Sequence, residues 1–297
     1  MVIENFLGVE VKPDELFELN HNVFVGGSSG VGKTRFAEGL LGYMDNPVRF
    51  IASKGLMKFS LANQLPVYSG HFPEWKSAFL VTLPDANGIL SAQIPGILAS
   101  LETDLPQDPE DQTISFMEDW LLVNKDKVEK INRPLYDLIL SRVKALYPEG
   151  RGRWQYSCGG SRRVFDLYSL SVEQKPFFIE FLLRLFWQNE RKLDLWIDEF
   201  HHLAGFQHSI VGEILREVRA RGSVVAISQS MSDVLPGFLS QFGRIFCGAD
   251  FDPRDLSMYP YHGLAESLYG MPKYRFVDVR EFARTAGGRG DYHVSIC

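Results

Sequence analysis

The sequence predicts an α/β fold in which a mostly parallel sheet carries helices on both faces. Three observations predict it. Short apolar runs alternate along the chain with segments of helical periodicity, the pattern of strand–helix–strand units. The first of those runs opens directly into a glycine-rich stretch, GGSSGVGKTR, Gly26 to Arg35. A later one, LWIDEF, closes on two adjacent acids, Asp198 and Glu199.

In order, residues 1 to about 20 read as a lead-in with one edge strand, Phe6 to Val11, ahead of a core spanning 21–297. Asn22-Val23-Phe24-Val25 suits a buried parallel strand. Behind it, Gly27 to Thr34 fit G-x-x-x-x-G-K-[ST] at every position, and Phe36, Leu40 and Leu41 recur at helical spacing. Phosphate binding needs this strand, loop and helix. The glycines let successive backbone N–H groups point at one anion, and the helix N-terminus adds a favourable dipole. Gly27, Ser28, Ser29, Gly30, Val31, Gly32, Lys33, Thr34 and Arg35 are therefore the expected ATP site. Lys33 would reach the β- and γ-phosphates, and the Thr34 hydroxyl would sit on Mg²⁺.

Val48 to Ala52 reads as the next strand. From about 54 to 160 the chain is less regular, and an insertion or helical subdomain is expected there. Within it the run Ala78 to Leu83 reads as a strand, Met117 to Val123 and Leu135 to Leu146 as helices, and the acidic LETDLPQDPEDQT as an exposed loop. Regular alternation resumes at Arg163. Strands are expected at Val164–Leu167, Leu193–Glu199, Ser223–Gln229 and Arg244–Gly248. Helices are expected at Phe177–Trp187 and through Ile210, Ile214, Leu215 and Val218.

A buried strand delivers its C-terminal end to the edge where α/β sheets bind ligands. Asp198 at such an end can hold Mg²⁺, directly or through water, and Glu199 can orient and polarise an attacking water. Gln229, closing the apolar strand VVAISQ, can sense the γ-phosphate or can simply satisfy backbone groups around it. Three lookalikes fall away. Asp198 to His201 spells the D-E-x-H of helicases with two motor cores, but too little chain follows Gln229 to build the second. Asn124-Lys125-Asp126 resembles a guanine-reading N-K-x-D, but Lys127 stands at the aspartate position. His201, His202 and His208 lack a supporting ligand spacing and read as helix-surface or core residues.

At 297 residues, 45% hydrophobic and 23% charged, the composition is that of a globular domain without low-complexity tracts. No apolar stretch approaches the ~20 residues that span a bilayer, and the N-terminus lacks the features of a secretory signal. Cys158, Cys247 and Cys297 are far apart and odd in number, which fits a reducing cytoplasm. The net charge of −6 disfavours a protein that coats nucleic acid, though not one that threads it through basic inner loops. Arg151, Arg153, Arg162 and Arg163 form the most basic stretch, either a DNA contact or a solvated loop.

Taken together, GGSSGVGKT, LDLWIDEFHHL and REVRARGSVVAISQSMSDV resemble the HerA–FtsK superfamily of ring-forming, DNA-pumping ATPases. SRRVFDLYSLSVEQKPFFIEFLLRLFWQ is similar too. The resemblance covers Val23 to Ala52 and Arg163 to about Gly248 and leaves the insertion unmatched. It implies a RecA-like core, a homo-oligomeric ring (a hexamer above other sizes) and double-stranded DNA through its centre. By the same resemblance Lys33, Thr34, Asp198 and Glu199 act on ATP and Mg²⁺, Gln229 is the sensor, and an arginine completes each site from the neighbouring subunit. Arg219 and Arg221 match that region, Arg244 is a further candidate, and the sequence does not choose between them. The short stretch before the glycine loop is expected to leave no room for the N-terminal β-barrel of HerA proteins, and no membrane anchor or winged-helix DNA reader is expected. A nearly bare core looks most like the genome-packaging ATPases of viruses, with capsid or virion membrane proteins as partners and a cytoplasmic or virion-associated location. A different reading is an ATP-dependent switch or scaffold that controls assembly with protein partners; a DNA-processing HerA-like ATPase is a third.

Overall fold

The computed structural model describes residues 22–45, 47–51, 71–83, 92–147, 164–167, 170–206, 208–232, 234–248, 275–279 and 294–295. The expected strand Phe6–Val11 and the basic residues Arg151, Arg153, Arg162 and Arg163 lie outside them. The strands are β1 (Asn22–Gly26), β2 (Val48–Ile51), β3 (Val164–Asp166), β4 (Leu195–Ile197), β5 (Val224–Ser228), β6 (Arg244–Gly248), β7 (Arg275–Asp278) and β8 (Val294–Ser295). They form one sheet in the order β3-β2-β4-β5-β1-β6-β7-β8. The pairs from β3 through β6 are parallel, and β7 and β8 close one edge in antiparallel fashion. That antiparallel edge, missed in the sequence, consists of two short strands.

Register assigns the faces of the sheet. Val25 is level with Phe246 on β6, so their side chains share a face. Helix α1 (Lys33–Leu40) lies on that face, because its Phe36 ring packs 4.9 Å from Phe246 and 4.6 Å from Phe276. Phe24 points the opposite way and meets Phe242 at 5.4 Å and Phe200 at 6.5 Å. Asn22 shares that second face. Its side-chain amide donates to the Leu215 carbonyl at 2.8 Å, fastening the helix Ile210–Glu217 there. A sheet buried on both sides explains why β1 and β5 read as continuous apolar runs.

The chain divides into two compact units. One holds the sheet with its helices. The other is helical and comprises α2 (Phe72–Thr82), α3 (Ile94–Thr103), α4 (Ile114–Lys127), α5 (Arg133–Leu146) and α6 (Gln174–Asn189). The run Ala78 to Leu83, expected as a strand, is instead the second half of α2. Phe72, Trp75, Ala78, Phe79 and Thr82 are its buried residues, a helical spacing with Pro73 at the start. Trp75 stacks on Phe79 at 4.9 Å, meets Phe177 of α6 edge-on at 5.8 Å, and donates its indole N–H to the Tyr147 hydroxyl at 3.1 Å. These partners decide the conformation that the apolar run left ambiguous. LETDLPQDPEDQT is exposed for most of its length, but Leu101 at its start is buried as part of α3.

Candidate nucleotide site

The site is assembled at the C-terminal edge of the parallel strands. Gly26 of β1 is level with Ser228 of β5, and Ile197 of β4 with Ala226 of β5. One strand thus separates the glycine loop from the acidic pair, and Gln229 follows directly on its last residue, Ser228. All three expected motifs emerge side by side, where an open α/β sheet binds ligands.

Loop geometry follows from its glycines. Gly27, Gly30 and Gly32 have φ of 148°, 85° and 97°, values L side chains rarely adopt. At Gly27 space is limiting as well, since a Cβ would stand 3.0 Å from Val31 Cγ2. Val31 is buried against Gly27 and Gly248, so it anchors the loop, while Ser29 and Gly30 are exposed and Ser28 is half-buried. Gly248, expected only as a strand end, stands at the end of β6 and is part of the cradle. A Cβ there would meet Val31 and Phe276, both at 3.0 Å.

Gly32 caps α1, and the Phe36 amide makes the bond to its carbonyl at 2.9 Å. The first amides of a helix have no carbonyl four residues back, which makes this terminus an anion site. Lys33 Nζ donates to the carbonyls of Gly27 at 2.7 Å and Ser28 at 2.8 Å. The ammonium therefore already sits over the loop. Burial pulls its pKa below the usual lysine value, while the charges of Glu199 and then Asp198 act in the opposite sense. Thr34 is half-buried in the first turn, and Arg35 is exposed.

Asp198 continues the sheet ladder, its amide donating to the Phe50 carbonyl at 2.9 Å. Its carboxylate is buried, and Oδ1 accepts from the Glu199 amide at 3.1 Å. Mg²⁺ keeps several waters and takes few protein oxygens. Buried Asp198 and the Thr34 hydroxyl are the residues that would hold it, beside a loop suited to phosphates. Among the described residues no group of three or more His, Cys, Asp or Glu side chains is placed to hold a metal ion.

Glu199 has φ 52°, and no other non-glycine residue described has positive φ. Such a conformation costs on the order of 1–3 kcal/mol and is retained where the surroundings enforce it. Here the chain turns sharply, the Phe200 amide returns to the Ile227 carbonyl at 2.8 Å, and one helical turn, His201–Ala204, follows. Gln229 Nε2 donates to Glu199 Oε1 at 3.0 Å. The expected sensor thus touches the expected water-activating residue. His201, read from sequence as helix surface or core, places Nδ1 3.2 Å from Glu199 Oε2. Its position two residues after the acid, opening a helical turn, was the available signal.

Arg219, Arg221 and Arg244 all lie at the opposite, N-terminal edge of the sheet. Arg219 is exposed. Arg221 donates its guanidinium to the Glu190 carbonyl. Arg244 forms an ion pair of 2.8 Å with Asp278, both largely buried.

No protein-family model and no curated protein sequence matches the chain. Solved structures do. VirB4 of Thermoanaerobacter pseudethanolicus superposes with a TM-score of 0.71 at 15% identity, over 100% of this chain and 96% of that one. The bacterial conjugative coupling protein TrwBdeltaN70 gives 0.58 at 13% identity, over 91% and 83%. The genome packaging NTPase B204 from Sulfolobus turreted icosahedral virus 2 gives 0.44 at 14% identity, over 97% and 100%. With the glycine loop, the acidic strand end and the glutamine on neighbouring strands, the chain carries an α/β, RecA-like fold.

Proposed function

We propose that the chain is the ATP-hydrolysing subunit of an oligomeric ring, a hexamer, that moves double-stranded DNA. The observation that carries this reading is the convergence of Lys33, Asp198, Glu199 and Gln229 at one sheet edge, with Gln229 bonded to Glu199 at 3.0 Å. ATP supplies a γ-phosphoryl group whose transfer to water depends on positioning and charge neutralisation. Amides of the Gly27–Arg35 loop and Lys33 hold the phosphates, and Thr34 and Asp198 hold Mg²⁺. Glu199 orients and polarises water. Gln229, tied to Glu199 and directly following the strand next to the loop, reports the state of the phosphate site to the segment that follows it. Loading of a viral genome into a capsid is one finer form of this activity, in the cytoplasm or the assembling virion. DNA transfer is the other; TrwB, one of the similar structures, is a bacterial conjugative coupling protein.

The test is Mg²⁺-dependent ATP hydrolysis by the purified protein, with and without duplex DNA. Stimulation by duplex DNA supports the motor. Hydrolysis indifferent to DNA but responsive to a partner protein supports the switch reading instead. Failure to hydrolyse ATP under either condition refutes the enzyme.

A further inference from the structure

We infer that His201 is a positioning residue for Glu199: its imidazole fixes one oxygen of the carboxylate while Gln229 fixes the other. This rests on the ATPase reading of the site. Glu199 Oε1 accepts from Gln229 Nε2 at 3.0 Å, and Oε2 lies 3.2 Å from His201 Nδ1. Oε2 and Nδ1 are both buried from solvent and neither makes a hydrogen bond. They are within ion-pair distance of each other but not in hydrogen-bond alignment. A buried polar atom without a bond is costly, so two such atoms facing each other mark a contact that a small rotation of either side chain completes.

The surroundings make His201 rigid enough to serve. Its ring lies against His202, with centroids 4.4 Å apart. The short helix that carries it is pinned by buried Leu203 and Ala204 and by the Leu235 amide, which donates to the Ala204 carbonyl at 3.1 Å. The His202 amide donates to the Glu199 carbonyl at 3.0 Å, so backbone and side chain of Glu199 are both held by this turn.

Why would a general base need two holders? A glutamate side chain gives up rotamer freedom when fixed, and a base must present an oxygen about 2.6–3.2 Å from the water it activates. One bond at Oε1 leaves the carboxylate plane able to swing about that bond. A second contact at Oε2 stops the swing. A carboxylate has two acceptor sites on each oxygen, so Oε1 can accept from water while it accepts from Gln229.

The experiment compares H201A, H201N and H201Q with the wild-type full chain, with thermal melting to establish that each is folded. The Asn side-chain amide nitrogen lies near the place of Nδ1, whereas that of Gln lies near Nε2. Loss of positioning predicts that H201A lowers kcat roughly 10- to 100-fold, leaves the KM for ATP unchanged, and is largely rescued in H201N but not in H201Q. Combining H201A with Q229A should cost less than the product of the two single losses, since both act through one carboxylate. Folded H201A with unchanged or raised kcat overturns the inference, as does H201N no better than H201Q. Should H201A not fold, the H201N and H201Q comparison decides alone. A wild-type protein without ATPase activity refutes the proposed function itself; an active wild type with an equally active H201A refutes only the role of His201.

Discussion

Glu199 and Lys33 divide the labour of the site in a way that single substitutions separate. Lys33 is held over the loop by the carbonyls of Gly27 and Ser28, so its ammonium contributes charge wherever phosphate oxygens sit, in the bound state and in the transition state alike. Lys33→Ala is expected to abolish nucleotide binding, measured by equilibrium titration with a fluorescent ATP analogue. Glu199 touches Gln229 and His201 and in the proposed mechanism acts on water, so Glu199→Gln should bind ATP normally and lose turnover by roughly 10²–10⁴-fold, the range for a positioned general base. Normal turnover in folded Glu199→Gln would remove that residue from the catalytic role. At this scale the sequence was informative where chemistry demands a residue type at a fixed spacing, as in Gly27 to Thr34. It was silent on the left-handed backbone of Glu199 and on the role of Gly248, and it offered only the position of His201 two residues after the acid. Those depend on which strands become neighbours, and strand order is a long-range property.

Among elements, the parallel strands were legible because burial on both faces makes them continuous apolar runs, and VVAIS needs little else to be recognised. The same logic failed at AFLVTL. A short apolar run fits a buried strand or a buried helix equally well, and Trp75 and Phe72 upstream, which supply the helical spacing, had to be counted to choose. The small β7 and β8 are short and isolated in sequence, so periodicity had little to act on. One element junction is steep enough to test. Gly222 sits between the turn Val218–Ala220 and β5, and a Cβ there would run into the Leu193 carbonyl and stand 3.0 Å from Asp194 Oδ1. Asp194 is the knot of that edge: it accepts from the Ser223 hydroxyl at 2.8 Å and from the Asp45 amide at 2.8 Å. Because the obstacle is backbone, it cannot move aside by a rotamer change. Gly222→Ala should therefore lower stability by about 1–3 kcal/mol, the usual cost of overpacking, with no change in the ATP affinity of the folded protein. Urea unfolding followed by tryptophan fluorescence measures it; a stability equal to the wild type would mean the turn relaxes without loss.

For the whole molecule, two expectations concern what one chain does not contain. A motor that grips duplex DNA through phosphates should lose affinity steeply between about 50 and 200 mM salt and show no sequence preference. Alanine at Arg151, Arg153, Arg162 and Arg163 should reduce the salt slope, and a flat affinity across that range would contradict phosphate-dominated binding. The second expectation is that the active site is shared between subunits. In the proposed site Lys33 and Mg²⁺ would be the cations that one subunit brings to the γ-phosphate, and an arginine delivered in trans can add roughly 10³–10⁵ in rate. Arg219 and Arg221 stand at the far end of β5, a five-residue strand and so roughly 16 Å from the nucleotide edge, too distant for their side chains to reach the site of their own chain. A ring closes through heterologous contacts between two different surfaces, and such contacts can bring this edge of one subunit to the nucleotide edge of the next. Arg221 is occupied by the Glu190 carbonyl and Arg244 by Asp278, whereas Arg219 is exposed, so Arg219 is the one expected to cross. Arg219→Ala should keep ATP binding and lose most turnover. Mixed with Lys33→Ala it should regain part of it, because some interfaces then pair an intact loop with an intact arginine. The measurement is hydrolysis in such mixtures once labelled-chain transfer shows that subunits exchange. Exchange without recovery, repeated for Arg221→Ala, would exclude both arginines; a protein that stays monomeric with ATP and DNA at high concentration would sink the ring itself.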